Sequence, residues 1–370
     1  MEYKLRELVE QVTETNTELN FGLNDIVGVT IDKKIIPTIA NLKETDLKKF
    51  VIVSPNDFIY NPRTHGKKIG LGYNNTARKY IATWNNNTFR IKEEKRNTIL
   101  SDYLYLYFNR EIWDKEACFN SWGSSTVVFS WDSFCGMKIN IPDIEEQKKI
   151  VKEYKIIEKR KDILTEFNNQ LEKMIDCTFA DNIGKIENNT APIFTFGDVI
   201  TGKTPSTYNK NYYNSNDIPF IKTPDMHAGI FVIKTNEYLS KKGADSQNNK
   251  YIPPYTVIMS CIGSAGELAI TTEYAQTNQQ INAVVTKYPY FLYSALKKAK
   301  RDLLVLGDGS TTMLNINKTD FSNFLIISCD DNNKDKIENT LKPFFKLIES
   351  NSKEICTLSE YKNLLLNKIA

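Results

Sequence analysis

The sequence predicts an α/β (α+β) protein in which two tandem mixed domains are separated by two long antiparallel coiled-coil helices, a pseudo-two-fold internal repeat. Three observations predict it. Residues 145–175 carry a heptad stripe of apolar side chains, and residues 337–369 carry a second stripe of the same spacing. The stretches ahead of these two helices repeat one order of motifs with a period near 187, Phe134 and Phe321 being that far apart. The expected boundaries are 1–142 for the first domain, 143–185 for the central helix, 186–333 for the second domain and 334–370 for the C-terminal helix.

In the central helix Ile150, Ile157, Leu164 and Leu171 fall seven apart, with Tyr154 and Ile175 on the offset seam. Spacing of that kind buries one narrow stripe of a helix against another helix. Lys161 and Asn168 interrupt the seam, where a polar residue fixes register at some cost in stability. No Gly or Pro breaks residues 145–175, so roughly 31 residues run as one helix about 46 Å long. Near the C-terminus Leu341, Phe344, Ile348, Asn351, Ile355, Leu358, Lys362, Leu365 and Ile369 follow the same alternation. Ile150 and Tyr154 match Ile337 and Leu341. After one inserted heptad, Leu164 and Leu171 match Leu358 and Leu365, and whole heptads keep the stripe on one face. Pro343 belongs in a first turn or a kink, which predicts a start for this helix near Thr340.

The 370 residues are enough for two domains plus connecting elements. A hydrophobic fraction of 41% and a charged fraction of 25% are those of an ordinary globular chain. Six scattered Cys with no CxxC, and only two His, leave a zinc site little to work with. Free thiols in a reducing cytosol are therefore expected. The first residues show no apolar signal region and no run reaches membrane-spanning length, which predicts a cytoplasmic protein.

Within the first domain, residues 1–20 read as a short helix or cap on Leu5, Leu8, Val9 and Val12. Strand-like runs follow at 26–31, 50–53, 58–60 and 80–83, then a packed helix at 100–108. Residues 121–128 form a Gly/Ser/Thr loop, and 137–142 a last strand leading into the central helix. The second domain repeats this order. Residues 192–201 echo 3–11, residues 257–260 form a strand, 289–297 match the 100–108 helix, and 307–321 match 122–134.

From Phe58 to Lys92 there is no Asp or Glu. The stretch carries Arg63, Lys67, Lys68, Arg78, Lys79, Arg90 and Lys92, interleaved with His65, Tyr73, Asn74, Asn75, Trp84 and further Asn. Lys and Arg neutralise phosphates, and Asn, Gln and Arg read base edges. On this stretch alone, nucleic-acid contact and a solvated basic loop stand level. The second domain offers similar loops around Lys203, Thr204 and Ser206, around Lys222 and Thr223, at residues 260–266, and at Asn278, Gln279 and Gln280, a helix cap being the lesser alternative for the two glutamines. Residues 274–301 again lack acids while carrying Lys287, Lys297, Lys298, Lys300 and Arg301.

Residues 197–204 fit the phosphate-loop pattern GxxxxGK[ST] letter for letter. That chemistry needs a helix immediately after Thr204, and the turn-rich residues 205–217 show no helical stripe. Asp57 and Asp225 are single acids in turns, suited to capping backbone amides. No catalytic set of the chain's own is evident. A P-loop NTPase and a coiled-coil scaffold without DNA stand as the alternatives.

Several segments together resemble the DNA-specificity subunit of Type I restriction–modification systems. They are residues 141–152 at the start of the first spacer, and residues 196–206, 218–224, 260–270, 277–284 and 309–317 in the second copy. The first domain carries the resemblance through its final third, and the second spacer replaces the family's proline, glutamate and glutamine lead-in with residues 329–336. The resemblance implies two target-recognition domains, each reading half of a split site in double-stranded DNA. With it, residues of the basic stretch and the loops named above become candidate DNA contacts in the first domain, namely Arg63, Thr64, His65, Lys67, Lys68, Tyr73, Asn74, Arg78, Lys79, Ser124 and Ser125. In the second the candidates are Lys203, Thr204, Ser206, Lys222, Thr223, Ser264, Asn278, Gln279, Gln280, Ser310 and Thr311. The spacer helices would dock two methyltransferase subunits, with a subunit interface on Ile150, Tyr154, Ile157, Leu164, Leu171, Leu341, Ile348, Ile355, Leu358 and Leu365. S-adenosylmethionine would sit in those partners, restriction subunits would be an optional addition, and this chain would do no catalysis.

Overall fold

Each half of the chain is closed by its own first and last strands. The computed structural model describes residues 1–38, 45–65, 67–121, 127–262, 265–307 and 315–369. It divides into two units, Met1–Lys159 with Glu360–Ala370, and Arg160–Ser359. The first unit runs β1 (Glu2–Lys4), α1 (Leu5–Leu8), β2 (Val9–Gln11), β3 (Val27–Val29), β4 (Ile35–Pro37), β5 (Val51–Val53), β6 (Phe58–His65), β7 (Lys68–Tyr73), β8 (Tyr80–Ala82), β9 (Asn87–Ile91), α2 (Ser101–Phe108), α3 (Glu111–Phe119), α4 (Trp131–Gly136) and β10 (Lys138–Asn140). Helix α5 (Ile144–Gly184) follows and continues into the second unit.

The second unit adds β11 (Asn189–Pro192), β12 (Gly197–Thr201), β13 (Ile218–Ile221), β14 (Phe231–Val232), β15 (Glu237–Leu239), α6 (Lys241–Asp245), β16 (Val257–Ser260), β17 (Leu268–Thr271), β18 (Gln276–Thr277), β19 (Ile281–Thr286), α7 (Pro289–Gly307), α8 (Lys318–Asn323) and β20 (Leu325–Ser328). Helix α9 (Asp331–Asn367) ends the chain.

The repeat is visible in the pairings. β1 lies antiparallel to β10, and β11 antiparallel to β20. Phe134 on α4 and Phe321 on α8 are both fully buried one short step ahead of those closing strands. In the first unit an antiparallel sheet ordered β2-β9-β6-β7 sets an aromatic core against α2, α3 and α4. Phe58 stacks on Phe89 at 5.1 Å, Phe89 meets Phe134 at 4.8 Å, and Phe108 meets Trp113 edge-on at 5.0 Å. Ring pairs in these geometries add to the area they bury. The second unit is built on a sheet ordered β12-β19-β16-β17-β14 with α7 against it, and a smaller sheet ordered β15-β13-β18 beside it.

Helix α5 is longer than the heptad pattern alone predicts. Asp143 caps it, accepting from the N–H groups of Glu145 (3.1 Å) and Glu146 (2.9 Å). Beyond Ile175 it continues because Phe179 and Ile183 are buried in the second unit's core. Its seam residues Ile150, Ile157, Leu164, Leu171 and Ile175 are all buried. In the second unit α5 and α9 run antiparallel, with Arg160 bidentate to Glu354 at 2.7 and 3.0 Å and Asn168 bonded through its amide to Asn351 at 2.8 Å. The exposed ion pair contributes little. Asn168 and Asn351 satisfy each other only when opposite, which gives the polar break in the seam its register role. In the first unit the end of α9 returns to Glu158 through Lys362 (3.2 Å), and Arg110 donates to the carbonyl of Ile369 at 2.7 Å.

The expected start of the second long helix near Thr340 is wrong. α9 starts at Asp331, where Asp330 caps the N–H of Asn333 at 3.0 Å, and Pro343 lies inside it. Pro343 faces outward, so the carbonyl it leaves without a helical donor is on the exposed side. Buried Ile337 and Leu341 hold the preceding turns in place. Packing of an amphipathic face thus outweighs the cost of one proline.

Glu338 of α9 caps α7, accepting from the N–H groups of Tyr290 (3.2 Å) and Phe291 (2.8 Å). Burial pushes its carboxyl up to about 7, against the pull of those two donors and of Lys342. A carboxyl raised in the folded state binds its proton more tightly there than in the unfolded chain. Its contribution is therefore complete below the ordinary glutamate range and is lost as pH rises through about 7. Urea midpoints at pH 5.5 and 8 are expected to show a fall of at most about 2 kcal/mol in the second unit, and Glu338→Gln should flatten it. An equal pH slope in that variant would remove Glu338 as its source.

Candidate nucleic-acid interface

The acid-free stretch of the first unit folds as a hairpin and its supports. β6 and β7 pair antiparallel, with a bulge between Tyr60 and Thr64, and His65 stands opposite Lys68 at the tip. Arg63, Lys67 and Lys68 are exposed around that tip, as is Lys79 on the following turn. Among the described residues no ion pair uses any of these four. The stem of the Gly/Ser/Thr loop reaches the same place, because Arg63 bridges to Val128 and Phe129 donates to the carbonyl of Pro62 at 2.7 Å.

Other basic residues of the stretch are engaged. Arg78 pairs with Asp25 at 2.5 Å and Arg90 with Glu10 at 2.9 Å. The backbone N–H of Gly22, the larger cause, and the Arg78 guanidinium together hold the Asp25 carboxyl below its ordinary range. Lys92 donates to the carbonyl of Arg6 at 2.8 Å.

Two sequence candidates here turn inward. Tyr73 is buried, stacks on Phe58 at 4.7 Å and donates to Asn56 at 2.9 Å. Asn74 is 2% exposed; its amide donates to the carbonyls of Val53 and Arg78, and its oxygen accepts from Thr76. Both hold the turn and leave no group for a ligand. Thr64 and His65 belong to β6 by backbone, while Ser124, Ser125, Ser264, Ser310 and Thr311 lie outside the described residues.

In the second unit one surface gathers residues from two loops. Gly202 and Lys203 donate to the carbonyls of Ile281 and Thr277, and the Thr204 hydroxyl donates to Gln279 at 2.7 Å. Lys203, Ser206 and Gln279 are exposed on it. Gln279 and Gln280 sit in the β18–β19 turn and cap no helix; Gln280 instead binds Asn278, which is buried and accepts from the Gln280 N–H. Thr223 is buried with its hydroxyl unpartnered, and Lys222 is tied to Glu237 at 2.5 Å. Asn278 and Thr223 are thus drawn into the fold, while Lys222 stays half-exposed with its charge matched by Glu237.

The phosphate-loop match does not fold as one. Residues 197–201 are strand, no helix follows Thr204, and a single 3-10 turn comes only at Lys210–Tyr212. The two glycines are needed for packing. A Cβ on Gly197 would lie 1.9 Å from the carbonyl oxygen of Val285, and one on Gly202 2.2 Å from that of Asn278. Asp57 and Asp225 cap backbone N–H groups as expected, at Ser54 (2.7 Å) and at Lys222 and Asn236 (2.8 and 2.9 Å).

A cleft not anticipated from the sequence opens next to this surface, lined by Thr207, Lys210, Tyr213, Asn214 and Asn236. Tyr208 beside it is 97% exposed. A signal for it is present in residues 207–216, where amides alternate with tyrosines as they do with aromatics in 58–92.

The residues expected at a subunit interface lie on the seam between α5 and α9 instead of facing outward. Ile150, Ile157, Leu164, Leu171, Leu341, Ile348 and Leu365 are buried, and Tyr154, Ile355 and Leu358 are half-buried. The side chains α5 leaves outside are Ile156, Ile163, Phe167 and Met174, each 44–58% exposed and themselves at heptad-related spacing. Among the described residues no helix is long and apolar enough to cross a membrane, and no cluster of His, Cys, Asp and Glu could hold a metal ion.

The profile of the Type I restriction modification DNA specificity domain matches residues 2–173 and again residues 189–360, an offset of 187 at each end. The Type I restriction enzyme HindI specificity subunit of Haemophilus influenzae (strain ATCC 51907 / DSM 11121 / KW20 / Rd) is 38% identical over 178 residues. That alignment covers 47% of this chain and 39% of that protein, so the chain spans about two-fifths of the length of the curated relative it matches. The crystal structure of a Type-I restriction-modification system S subunit from M. genitalium superposes with a TM-score of 0.61 at 12% identity, over 100% of this chain and 95% of that one, which is a likeness of fold. The HsdS subunit from Thermoanaerobacter tengcongensis aligns over 100% and 96% of the two chains at 14% identity, with a TM-score of 0.39 that carries no weight. With most of both halves matched and the same strand pairing closing each, the chain belongs to the family of Type I restriction modification DNA specificity domains, of which it carries two copies in tandem.

Proposed function

We propose that this chain is the non-catalytic, cytoplasmic specificity subunit of a Type I restriction–modification complex. Each unit reads one half of a split DNA target. The long helices carry methyltransferase subunits, which bring S-adenosylmethionine and methylate adenine, and a nuclease subunit is an optional addition. The observation that carries the reading is the group of cations around the hairpin tip, Arg63, Lys67 and Lys68, which form no ion pair among the described residues, in a domain of this family. Paired cations have already spent their charge; unpaired ones on a strand tip can displace counterions from phosphates. In the second unit Lys203, Ser206 and Gln279 supply the corresponding surface. Docking of the methyltransferase is supported by the outward stripe of Ile156, Ile163, Phe167 and Met174, because an apolar stripe at this spacing suits a further helix.

The test is salt-dependent DNA binding by the complex of this chain with its methyltransferase. Lys67→Ala/Lys68→Ala is expected to weaken binding to target and non-target duplexes alike by about tenfold at moderate salt. It should also reduce the slope of log K against log salt by about two, near one for each lost phosphate contact. An unchanged slope would place DNA elsewhere, and no DNA binding by the wild-type complex would favour the scaffold alternative.

A further inference from the structure

β7 is the edge strand of its sheet, and an edge strand carries a row of backbone groups without partners. At Ile69, opposite Thr64 and one residue from the basic tip, both groups are taken from outside the sheet. The Ile69 N–H donates to Oδ1 of Asp114 on α3 at 3.0 Å, and its carbonyl accepts from Nζ of Lys33 at 2.7 Å. Lys33 and Asp114 are themselves ion-paired at 2.6 Å, with side chains only 4% and 10% exposed. Two residues on, the N–H of Leu71 donates to the carbonyl of Thr30 at 3.2 Å, so the β3–β4 turn takes up the next edge donor.

Lys33 is held from several sides. Its backbone has φ 61°, its carbonyl accepts from the Tyr105 hydroxyl at 3.0 Å, and its ammonium lies 4.9 Å over the ring of Trp113. Burial pulls the ammonium below its ordinary range, against the Asp114 carboxylate. An ion pair of this kind is commonly no more stabilising than apolar residues of the same size. What this one does, and apolar residues could not, is hold both polar groups of a single edge residue.

We infer that Lys33 and Asp114 are positioning residues for DNA recognition, clamping Ile69 so that Arg63, Lys67 and Lys68 meet the phosphates from a fixed backbone. The inference rests on the DNA reading proposed above. No such pair exists 187 residues on, where Phe220 and Arg301 stand, so the device belongs to the first half of the target.

The experiment uses the complex of this chain with its methyltransferase. One duplex carries the site found by mapping adenine methylation in cells, and another has the half read by the first unit scrambled. Lys33→Met/Asp114→Leu removes both charges together and avoids leaving one buried alone. It is expected to lower affinity for the intact site by up to about tenfold, no more than removing Lys67 and Lys68 outright, while the scrambled duplex, whose phosphates loosely held cations still neutralise, loses about twofold at most and keeps its salt slope. Lys33→Met/Asp114→Asn keeps an oxygen for the Ile69 N–H with no charge buried alone, and should restore part of the discrimination. A Lys33→Met/Asp114→Leu variant that melts with the wild type and discriminates as well as it does overturns the inference. Hydrogen exchange on the wild-type complex supplies a second, independent readout, which stands even where the variant does not fold. Positioning requires the Ile69 amide to be protected before DNA is added, and exchange at the rate of an open strand until DNA binds overturns the idea. Loss of binding in Lys67→Ala/Lys68→Ala beside an unaffected double variant sinks only the positioning role. Full binding by both takes down the DNA reading as well.

Discussion

Phe345→Ala is expected to lower the stability of the second unit by about 3–5 kcal/mol, and Phe344→Ala by about 1 kcal/mol. The neighbours differ in what they touch. Phe345 is fully buried, stacks on Tyr290 at 4.6 Å, and meets Tyr293 at 5.6 Å and Phe231 at 6.4 Å edge-on. One ring thus joins α9 to α7 and to strand β14. Truncation loses the transfer energy of the ring and leaves a cavity among three other rings that cannot all collapse into it. Phe344 is only half-buried at the edge of that core. Chemical unfolding of the two variants, followed by tyrosine and far-ultraviolet signals, checks the difference. Equal losses would mean that α9 is held by its helix partner alone.

This contrast shows what periodicity can and cannot reveal. The three-and-four alternation selects Leu341, Phe344 and Ile348 because it scores a helix against one other helix. α9 in fact faces a domain core as well as α5, and the residue one step round, Phe345, is as fully buried as Leu341 while Phe344 is not. Short strands with β-branched or aromatic residues, such as 51–53, 58–60 and 80–82, are legible because their signal is local. The pairing of Tyr3 with Ile139 has no local signal, although the repeat marks both segments.

The candidate interface divides in the same way. That residues 58–92 are basic is a matter of composition and is plain from the chain itself. Which cations are taken up by ion pairs is decided by Asp25 and Glu10, far away in sequence, and no spacing rule supplies them. Asn74 illustrates the limit from the other side: the amide that would read a base edge is equally suited to tying a turn, and burial decides between the two. The glycines at 197 and 202 match a phosphate loop by letter because close backbone approach, whatever the neighbour, demands glycine.

Gln147→Leu should destabilise the first unit by about 3 kcal/mol or more, with little change in side-chain volume. Gln147 is fully buried in the first turns of α5. Its Oε1 accepts from the N–H of Leu100 at 2.9 Å, at the start of α2, and its Nε2 donates to the carbonyls of Thr98 (2.8 Å) and Pro142 (3.0 Å). Leucine strands all three backbone groups away from water, each at roughly 1–3 kcal/mol and not additively. Gln147→Glu distinguishes lost hydrogen bonds from lost packing. It keeps the acceptor for Leu100 but turns an oxygen toward two carbonyls and buries a charge, so its carboxyl should titrate above the ordinary glutamate range. Its stability deficit is then largest at pH 8 and shrinks as pH falls and the carboxyl gains a proton that can be donated to a carbonyl. Urea unfolding followed through buried Trp113 at pH 5 and pH 8 reads both variants, and a Gln147→Leu midpoint equal to wild type would show that water fills the gap. The second unit has Lys334 at the matching place, 187 residues on, and gives the task of starting its domain helix to Glu338 instead. Each long helix thus supplies the cap for a helix of the domain it leaves, so the direction in which it departs is fixed by hydrogen bonds as well as by apolar contact.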